Sequence, residues 1–583
     1  MFISTLTSLM LGLPQPEMPA QCHEPSTAIA AVQTNAAASP LQDQQVIVQG
    51  VVTASWTASK QLGGFFIQAA LPDADPATSE GLFIESSTYQ VEPGELVRLT
   101  GVVSENEQMT RLREVELLSR CGKQALPAAV TLDLPLENQA WLESVEGMRV
   151  TIKQPTVVNG HYQLARHGQF DIAHQRLYSP TQVAEPGAAA QVVAEQNRQA
   201  LLTIDDAQAP NSAVIPYPPV GLSANNTLRS GDWVQPFTAI VTEYEGRYRL
   251  QPLQPLVFTE RNPRPAAPVR LSDNDVRIAA FNVLNYFNGE GESKTFPTNR
   301  GAKNAAQFKL QHEKIIAALT ALDADVIGLM EIENDGTGAH SAIVELTTAL
   351  RTSTGHAWQF IDTGTAGFGD DSITNALIYR SDKVEPQGEF ITTFAYPFNQ
   401  RSRLPLIQVF RDKRSGEQFS VAVNHFKSKG SCPGDADPSN HRQGDGQGCW
   451  NPVRVKSAQQ LLATLSSSER LQQLEYHIVL GDLNAYAQED PLTTLAQAGF
   501  VNLIERFEPN GYSYVFASQA GSLDHILVNQ PLAAKVRQLK HWAINADEPI
   551  ALQYQALDKY PDRVDSSPYR ASDHDPLYLD LKF

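Results

Sequence analysis

The sequence predicts a multidomain chain: an all-β N-terminal part built from OB-like modules, then a larger α/β domain of packed layers. Three observations carry this. The 583 residues exceed what one ordinary core uses, and length alone suggests about three or four domains. From Gln45 to about Ser119, short runs rich in Val, Ile, Leu and Phe alternate with Gly, Pro and Asp clusters. After the Pro-rich stretch "ERNPRPAAPVRLSD", Glu260 to Asp273, strands alternate with amphipathic helices.

The first β segment reads "QVIVQGVVTAS", "GGFFIQ", "GLFIES", "GELVRLTGVV" and "RLREVELLS". Five such strands suit a small Greek-key barrel of the OB type over residues 42–122. A second β-rich module spans 130–260. Its end, "GDWVQPFTAIVTEYEGRYRLQPLQPL" from Gly231, echoes "GELVRLTGVVSENEQMTRLREVELL" from Gly94. Both read Gly-acid-x-Val, a strand, a polar turn and a strand, a weak internal repeat that chance similarity between β segments explains as readily. Trp56, Phe65 and Phe66 could stack on a nucleic-acid strand, but basic residues are sparse there, which favours core packing or a spacer. Residues 261–273 form a linker and 274–583 the α/β domain. In that domain "VRIAAFNVLNYF" and "ADVIGLMEIE" are strands. "AQFKLQHEKIIAALTAL" sets Phe308, Ile315, Leu319 and Leu322 on one helical face, and "RVKSAQQLLATL" does the same with Val455, Ala458, Leu462 and Leu465.

The formal net charge is −19 and 42% of residues are hydrophobic, the balance of a soluble globular chain. Such a surface repels nucleic acid at long range, so action on a polyphosphate requires metal ions or a local basic patch. There is no run of about 18 apolar residues that would cross a membrane. The opening "MFISTLTSLMLGLP" resembles the core of a secretion signal, with 1–24 as the signal-like segment. No Lys or Arg precedes Lys60 and no A-x-A site follows, which points to a true start further upstream. Four cysteines, Cys22, Cys121, Cys432 and Cys449, suit two disulfides in a secreted or periplasmic protein, with four reduced thiols as the alternative. Cys432 and Cys449 flank a Gly/Asp-rich loop whose closure is worth about 3 kcal/mol on the chain-entropy model. Cys22 and Cys121 bracket the first β segment. Without a C-x-x-C pair, structural zinc is disfavoured.

The chemistry collects at strand ends. "VLGDLNAYAQED" closes an apolar strand with Asp482 and Asn484, two residues apart and so on one side of an extended chain. "AAFNVLN" ends near Asn282, "IGLMEIEN" at Glu331, and "VAVNHFKSK" at Asn424 and His425 followed by Lys427 and Lys429. "GSLDHILVN" carries Asp524, and "ASDHDPLYLDL" sets Asp573 and His574 before the last strand. Each alone has a bland explanation, since Asp and Asn cap turns. Six strand ends presenting acid, amide or imidazole in one α/β domain point instead to a ligand site where strand ends converge.

Asn282, Glu331, "GDLN", "LDHIL" and the near-terminal "SDHDP", in that order, resemble the endonuclease/exonuclease/phosphatase superfamily over about half the chain, from Val276 onward. The β-modules and "CPG…GQGCWN" resemble its bacterial secreted nucleases. The resemblance implies a four-layer α/β sandwich of the DNase-I-like type and phosphodiester hydrolysis by in-line water attack. It implies Glu331, Asn282 and Asp573 as ligands of Mg²⁺ or Mn²⁺, with Ca²⁺ possible, hard cations for oxygen donors. It implies His574 as general base oriented by Asp524, Asp482 aligning water, and Asn484 donating to phosphate. His425 becomes phosphate ligand or general acid; Tyr379 in "NALIYRSDKV" stands at its partner's place without the expected acid. Arg403 in "RSRLPLIQVF" and Lys427 become substrate contacts, with surface cations as the alternative. The loop acids Asp435, Asp437 and Asp445 lack EF-hand spacing and read as a plain disulfide loop. The expected enzyme is a monomeric secreted deoxyribonuclease, endo- or exo-. The alternatives are a phosphoesterase of the same superfamily on a lipid or inositol phosphate, and a catalytically inert nucleic-acid-binding surface protein.

Overall fold

The computed structural model describes residues 19–583 except 211–214, 290 and 435–436. The apolar opening and Asp435 lie outside the described residues.

Five strands, Gln45–Trp56, Gly64–Gln68, Gly81–Ile84, Glu95–Asn106 and Met109–Lys123, close into a barrel in which the fifth lies between the third and fourth. Closure depends on the long first strand. Residues 45–51 pair with the fourth strand, 51–56 pair with the second, and an irregularity between Val52 and Ala54 bends the chain from one to the other. Val48, Val52, Phe65, Ile67, Leu82, Val97, Leu99 and Leu112 fill the interior. Phe65 and Phe66 are fully buried, Phe65 inside the barrel and Phe66 outside it against Ile240, so neither presents a stacking surface. The Cys22–Cys121 disulfide ties the segment before the barrel to its last strand.

Next comes a nine-stranded sheet bounded by Val130–Thr131 and Phe258–Thr259. The internal echo corresponds to two hairpins, Glu95–Asn106 with Met109–Lys123 and Phe237–Tyr244 with Arg247–Pro252. Both turn through two residues at positive φ, Glu107 and Gln108 in one, Glu245 and Gly246 in the other, the twist a tight hairpin requires. Beyond the hairpins the two modules differ, one a closed barrel and one a nine-stranded sheet. The second also carries an Ala-rich helix, Ala188–Ala200, that strand patterning hides, because it buries only Ala190, Asn197 and Ala200.

The remainder is two six-stranded sheets packed face to face with helices outside. In the first sheet Val276–Tyr286 runs parallel to Val326–Glu333; in the second Gln418–His425 runs parallel to Tyr476–Asp482. Alternation sorts the side chains: Ile278, Ala280 and Met330 meet Val421, Val423 and Leu480 between the sheets. Ala279, Phe281 and Leu329 face the other way, onto Ile315, Leu319 and Leu346 of helices Ala305–Leu322 and Ala342–Thr354. Helix Asn451–Ser467 covers the second sheet through Ala458, Leu461 and Leu465. The helix faces differ from the apolar count. Leu310, Gln311, Lys314 and Ala318 are buried where Phe308 is half-buried, and Val453, Arg454, Ser457 and Leu461 where Val455 and Leu462 are half-buried. In each helix a long polar side chain turns inward to satisfy backbone carbonyls: Lys314 donates to Tyr569 O at 2.7 Å and Arg454 to Cys449 O at 2.7 Å.

The Pro-rich stretch is pinned along its length rather than free. Arg264 grips Glu548, and Arg270 grips Asp323 and Asp325. From the nine-stranded sheet Arg176 reaches Asp547 at 2.9 Å, and the buried Arg229 pairs with Glu548. Against the penalty of burial, Arg264 and Arg229 hold the Glu548 carboxyl down to about 2. Removing one partner of such a pair leaves a buried charge uncompensated. Arg229→Ala is therefore expected to destabilise the protein by about 3–5 kcal/mol, read as the shift of its urea unfolding midpoint; an unchanged midpoint would contradict the brace.

Candidate functional site

The two parallel strand pairs end at one edge of the sandwich. There Asn282, fully buried, donates from Nδ2 to Glu331 Oε1 at 3.2 Å and to Asp482 Oδ2 at 3.3 Å, joining the sheets. Glu331 is the extra residue of a bulge between Met330 and Ile332, with φ of 66°. A non-glycine residue there is strained, and the bulge turns the carboxylate out of the pleat toward the edge. Its Oε2 accepts the Asn285 N–H at 2.9 Å from the neighbouring strand of the same sheet, where Leu284 and Asn285 are also left-handed. Burial first, and then the nearby Asp573, push the Glu331 carboxyl up. Asp573 is held close because its neighbour Ser572 donates to Asn282 O at 2.7 Å. Glu331 and Asp573 are two hard-oxygen carboxylates of the kind a divalent cation takes, while Asn282 turns its Nδ2 to Glu331 and its Oδ1 accepts the Leu284 N–H at 3.1 Å.

In the second sheet the register puts His425 beside Asp482 and Asp482 beside Asp524. Gly481 sits at φ 123°, and a Cβ there would lie 2.1 Å from Asn424 O, so this position before Asp482 accepts glycine alone. Asp482 Oδ2 lies 3.5 Å from His425 Nε2 and 4.0 Å from His574 Nε2. Burial raises the Asp482 carboxyl to about 7 against the pull of His574. His574 Nδ1 contacts Asp524 Oδ2 at 2.6 Å, and its ring lies on Tyr514 at 4.6 Å. Burial opposes charge on His574, but Asp524 and Asp573 outweigh it and raise its pKa well above the usual value. His425 moves oppositely: burial, then Arg403 and His574, keep it neutral.

Strand alternation does not reach Asn484. The strand stops at Asp482, and Asn484 is left-handed with φ of 49°. Asp482 Oδ1 accepts the Asn484 N–H at 2.9 Å, and Asn484 Nδ2 donates to Phe426 O at 3.2 Å. The capping reading and the site reading thus coexist, one oxygen of Asp482 closing the turn and the other facing the histidines. Tyr379 is a correction. Its strand runs antiparallel to Val326–Glu333, so Tyr379 pairs with Val326 at the far end, while Thr374 and Asn375 lie nearest Glu331. Tyr379 packs on Phe410 in the core and is no substrate contact.

Cations gather beside His425. Arg403 and Arg300 share Asp371, at 3.1 and 3.2 Å. Arg401 and Lys427 both lie over Trp450, at 4.9 and 5.3 Å. Burial, then Arg403, Arg454 and Arg401, lower Lys427 to about 8. Lys429 is committed elsewhere, to the buried Glu489. Asp437 accepts from the Ser439 hydroxyl and the Asn440 side-chain amide, and Asp445 accepts from Gln447, within the loop closed by the Cys432–Cys449 disulfide. Sequence reading missed Arg300, Arg401 and Trp450, although Arg401 stands two residues from Arg403. It also missed Asn545, whose Nδ2 donates to His574 O at 2.6 Å and whose Oδ1 accepts the N–H groups of Ala571 and Ser572.

The sequence model described as the Endonuclease/Exonuclease/phosphatase family matches residues 279–574, and one described as a Domain of unknown function (DUF8508) matches 131–262. No curated protein matches the chain. Among solved structures, an endonuclease/exonuclease/phosphatase family protein from Bacteroides thetaiotaomicron is 16% identical, covering 53% of this chain and 97% of its own, with a TM-score of 0.34. The human Nocturnin catalytic domain with bound sulfate is 17% identical, covering 54% and 94%, TM-score 0.34. A mannosyl-6-phosphatase of Bacteroides thetaiotaomicron is 17% identical, covering 53% and 100%, TM-score 0.34.

The His574–Asp524 pair makes a direct prediction. In Asp524→Asn, the His574 imidazole loses its main source of extra basicity and titrates at lower pH. Histidine Cε1–H NMR, with His574 identified by its loss in His574→Gln, reads the shift; an unchanged titration would contradict the assigned electrostatics.

Proposed function

We propose that this chain, which belongs to the endonuclease/exonuclease/phosphatase family of phosphoric-ester hydrolases, is an exported, metal-dependent nuclease that cleaves phosphodiester bonds of DNA. The observation that carries the choice of a nucleic acid is the cationic strip of Arg300, Arg401, Arg403 and Lys427 beside His425. In a chain of net charge −19, it is a local basic patch of the kind a polyanionic substrate requires. Two disulfides agree with an oxidising compartment, and no described helix is long and apolar enough to cross a membrane.

Enzymes of this family depend on divalent metals, and Glu331, Asp573 and Asn282 would hold the ion here. When bound, Mg²⁺ or Mn²⁺ supplies positive charge to the phosphoryl oxygens, where charge develops during displacement. The side chains do the rest. Asp482 and His574 face the position from which water attacks, and His574 accepts its proton through Nε2 while Asp524 fixes the ring through Nδ1. A cation held at Asp573 would weaken that carboxylate's pull on the His574 proton and make the imidazole a better base. His425, kept neutral, and Asn484 contact the phosphate from the opposite side, and the cationic strip holds neighbouring phosphates. We read the barrel, from its strand order, as an OB-type module, and residues 42–122, 130–260 and 274–583 as separate domains.

Digestion of supercoiled and linear DNA tests this. With Mg²⁺ the protein is expected to cut DNA, EDTA to abolish cutting, and Glu331→Ala and His574→Ala each to lose at least about 10²-fold. Nicked circles mean endonuclease action and digestion of linear DNA alone means exonuclease action; variants as active as the native protein would overturn the site.

A further inference from the structure

Far along the chain from the sheet-edge site, acids collect where the barrel meets the nine-stranded sheet. Glu143 lies on the short helix Gln139–Val145, Glu146 directly follows it, and Glu243 lies on strand Phe237–Tyr244. One carboxylate oxygen from each is within 4.8 Å of the other two. Glu146 is 1% exposed and Glu243 8%. The junction is tight: a Cβ on Gly81 of the barrel would lie 2.2 Å from the Gly147 backbone, beside Glu146.

The barrel answers only one oxygen of Glu146. Oε1 accepts the Thr110 N–H at 3.1 Å and Gln33 Nε2 at 3.3 Å. Oε2 is buried with no hydrogen-bond partner, in the cluster with Glu143 and Glu243. Among the described residues no lysine or arginine pairs with any of the three; Arg111 and Arg249, which line the adjoining cleft, pair with Glu85 and Asp205. A buried carboxylate oxygen without a partner is costly, and three close carboxylates multiply the cost unless a proton or a cation intervenes. Burial and mutual repulsion push Glu146 well up and Glu243 to about 7, the response of acids lacking a counter-charge.

We propose that Glu143, Glu146 and Glu243 form a calcium site that fastens the barrel to the nine-stranded sheet. Donors are oxygen only, which selects a hard cation, and the cluster contains no His or Cys that would favour zinc. Oxygens on opposite sides of one Ca²⁺ stand about 4.6–5.2 Å apart, because each bond is about 2.3–2.6 Å, so oxygens within 4.8 Å of one another can share a single ion. The ion enters from the cleft of about 760 Å³ that Glu243 lines, and water completes its shell. Tyr248 holds Glu143 in place by donating to its Oε2 at 2.6 Å.

The test is Ca²⁺ stoichiometry by equilibrium dialysis of the full chain, together with thermal unfolding in Ca²⁺ and in EDTA. Glu146→Gln with Glu243→Gln keeps the shapes and removes the repulsion, so this variant is expected to be at least as stable as the native protein in EDTA. It is expected to bind one Ca²⁺ fewer and to lose a Ca²⁺-dependent rise in melting temperature, which Glu331→Gln retains. Glu143→Gln, at a half-buried position, is expected to weaken the same site. Equal stoichiometry and an equal Ca²⁺-dependent rise in native protein and double variant would overturn the site and leave the cluster holding protons only.

Discussion

The mutual repulsion of Glu331, Asp482, Asp524 and Asp573 at one sheet edge is the constraint on which the rest of the α/β part depends. Asp482 and Asp524 are almost wholly buried, and all four interact through the His574 region. Left alone, such a group would take up protons or spring apart. Three devices hold it. Asn282 spans two of the carboxylates, His574 lies between Asp524 and Asp482, and left-handed residues on the neighbouring strand fix Glu331. The residual negative field at Glu331 and Asp573 is what a divalent cation would neutralise, so the strain and the proposed chemistry have one source.

That arrangement extends beyond the two sheets. Asn545 holds the backbone of the loop that carries Asp573 and His574, and the adjacent Asp547 and Glu548 are gripped by Arg176 and Arg229 from the nine-stranded sheet and Arg264 from the Pro-rich stretch. Tyr512 adds a hydrogen bond to Asp547 at 2.8 Å. The β part therefore reaches the site through a chain of buried ion pairs and amide contacts, a role distinct from binding substrate on its own surface. Helix Ala188–Ala200 makes a second connection, since its Gln191 donates to Gly444 O at 2.8 Å in the disulfide loop.

Much of this was legible in the residues, and the failures have physical causes. The polar groups could be read as a cluster because the four strands of the parallel pairs end, and strands Asp524–Asn529 and Leu577–Leu581 begin, at the same edge. Alternation is a rule for extended chain, and it lapses where φ turns positive, at Glu331 and Asn484, positions that no side-chain pattern announces. Tyr379 was misplaced because strand direction, which decides which end of a strand meets the site, is not written in a run of apolar residues. Apolar counting found most of the inward faces of two helices, Ile315, Leu319 and Leu322 in one and Ala458 and Leu465 in the other, but overlooked the buried Lys314 and Arg454, which satisfy backbone carbonyls. Arg403 and Lys427 of the cationic strip were read from the sequence, whereas Arg300 and Trp450 escaped because they come from segments that only the fold brings beside them.

On the proposed function, this sheet edge acts on nucleic acid in preference to small phosphate esters. The most direct measurement is kcat/KM for the full chain with Mg²⁺ on single- and double-stranded DNA, a phosphorylated inositol and sphingomyelin under one set of conditions. Efficient turnover of DNA and little of the others is expected, because only an extended chain of phosphates places one at His425 and its neighbours on the cationic strip. Turnover of a small phosphate ester with DNA left intact would contradict it.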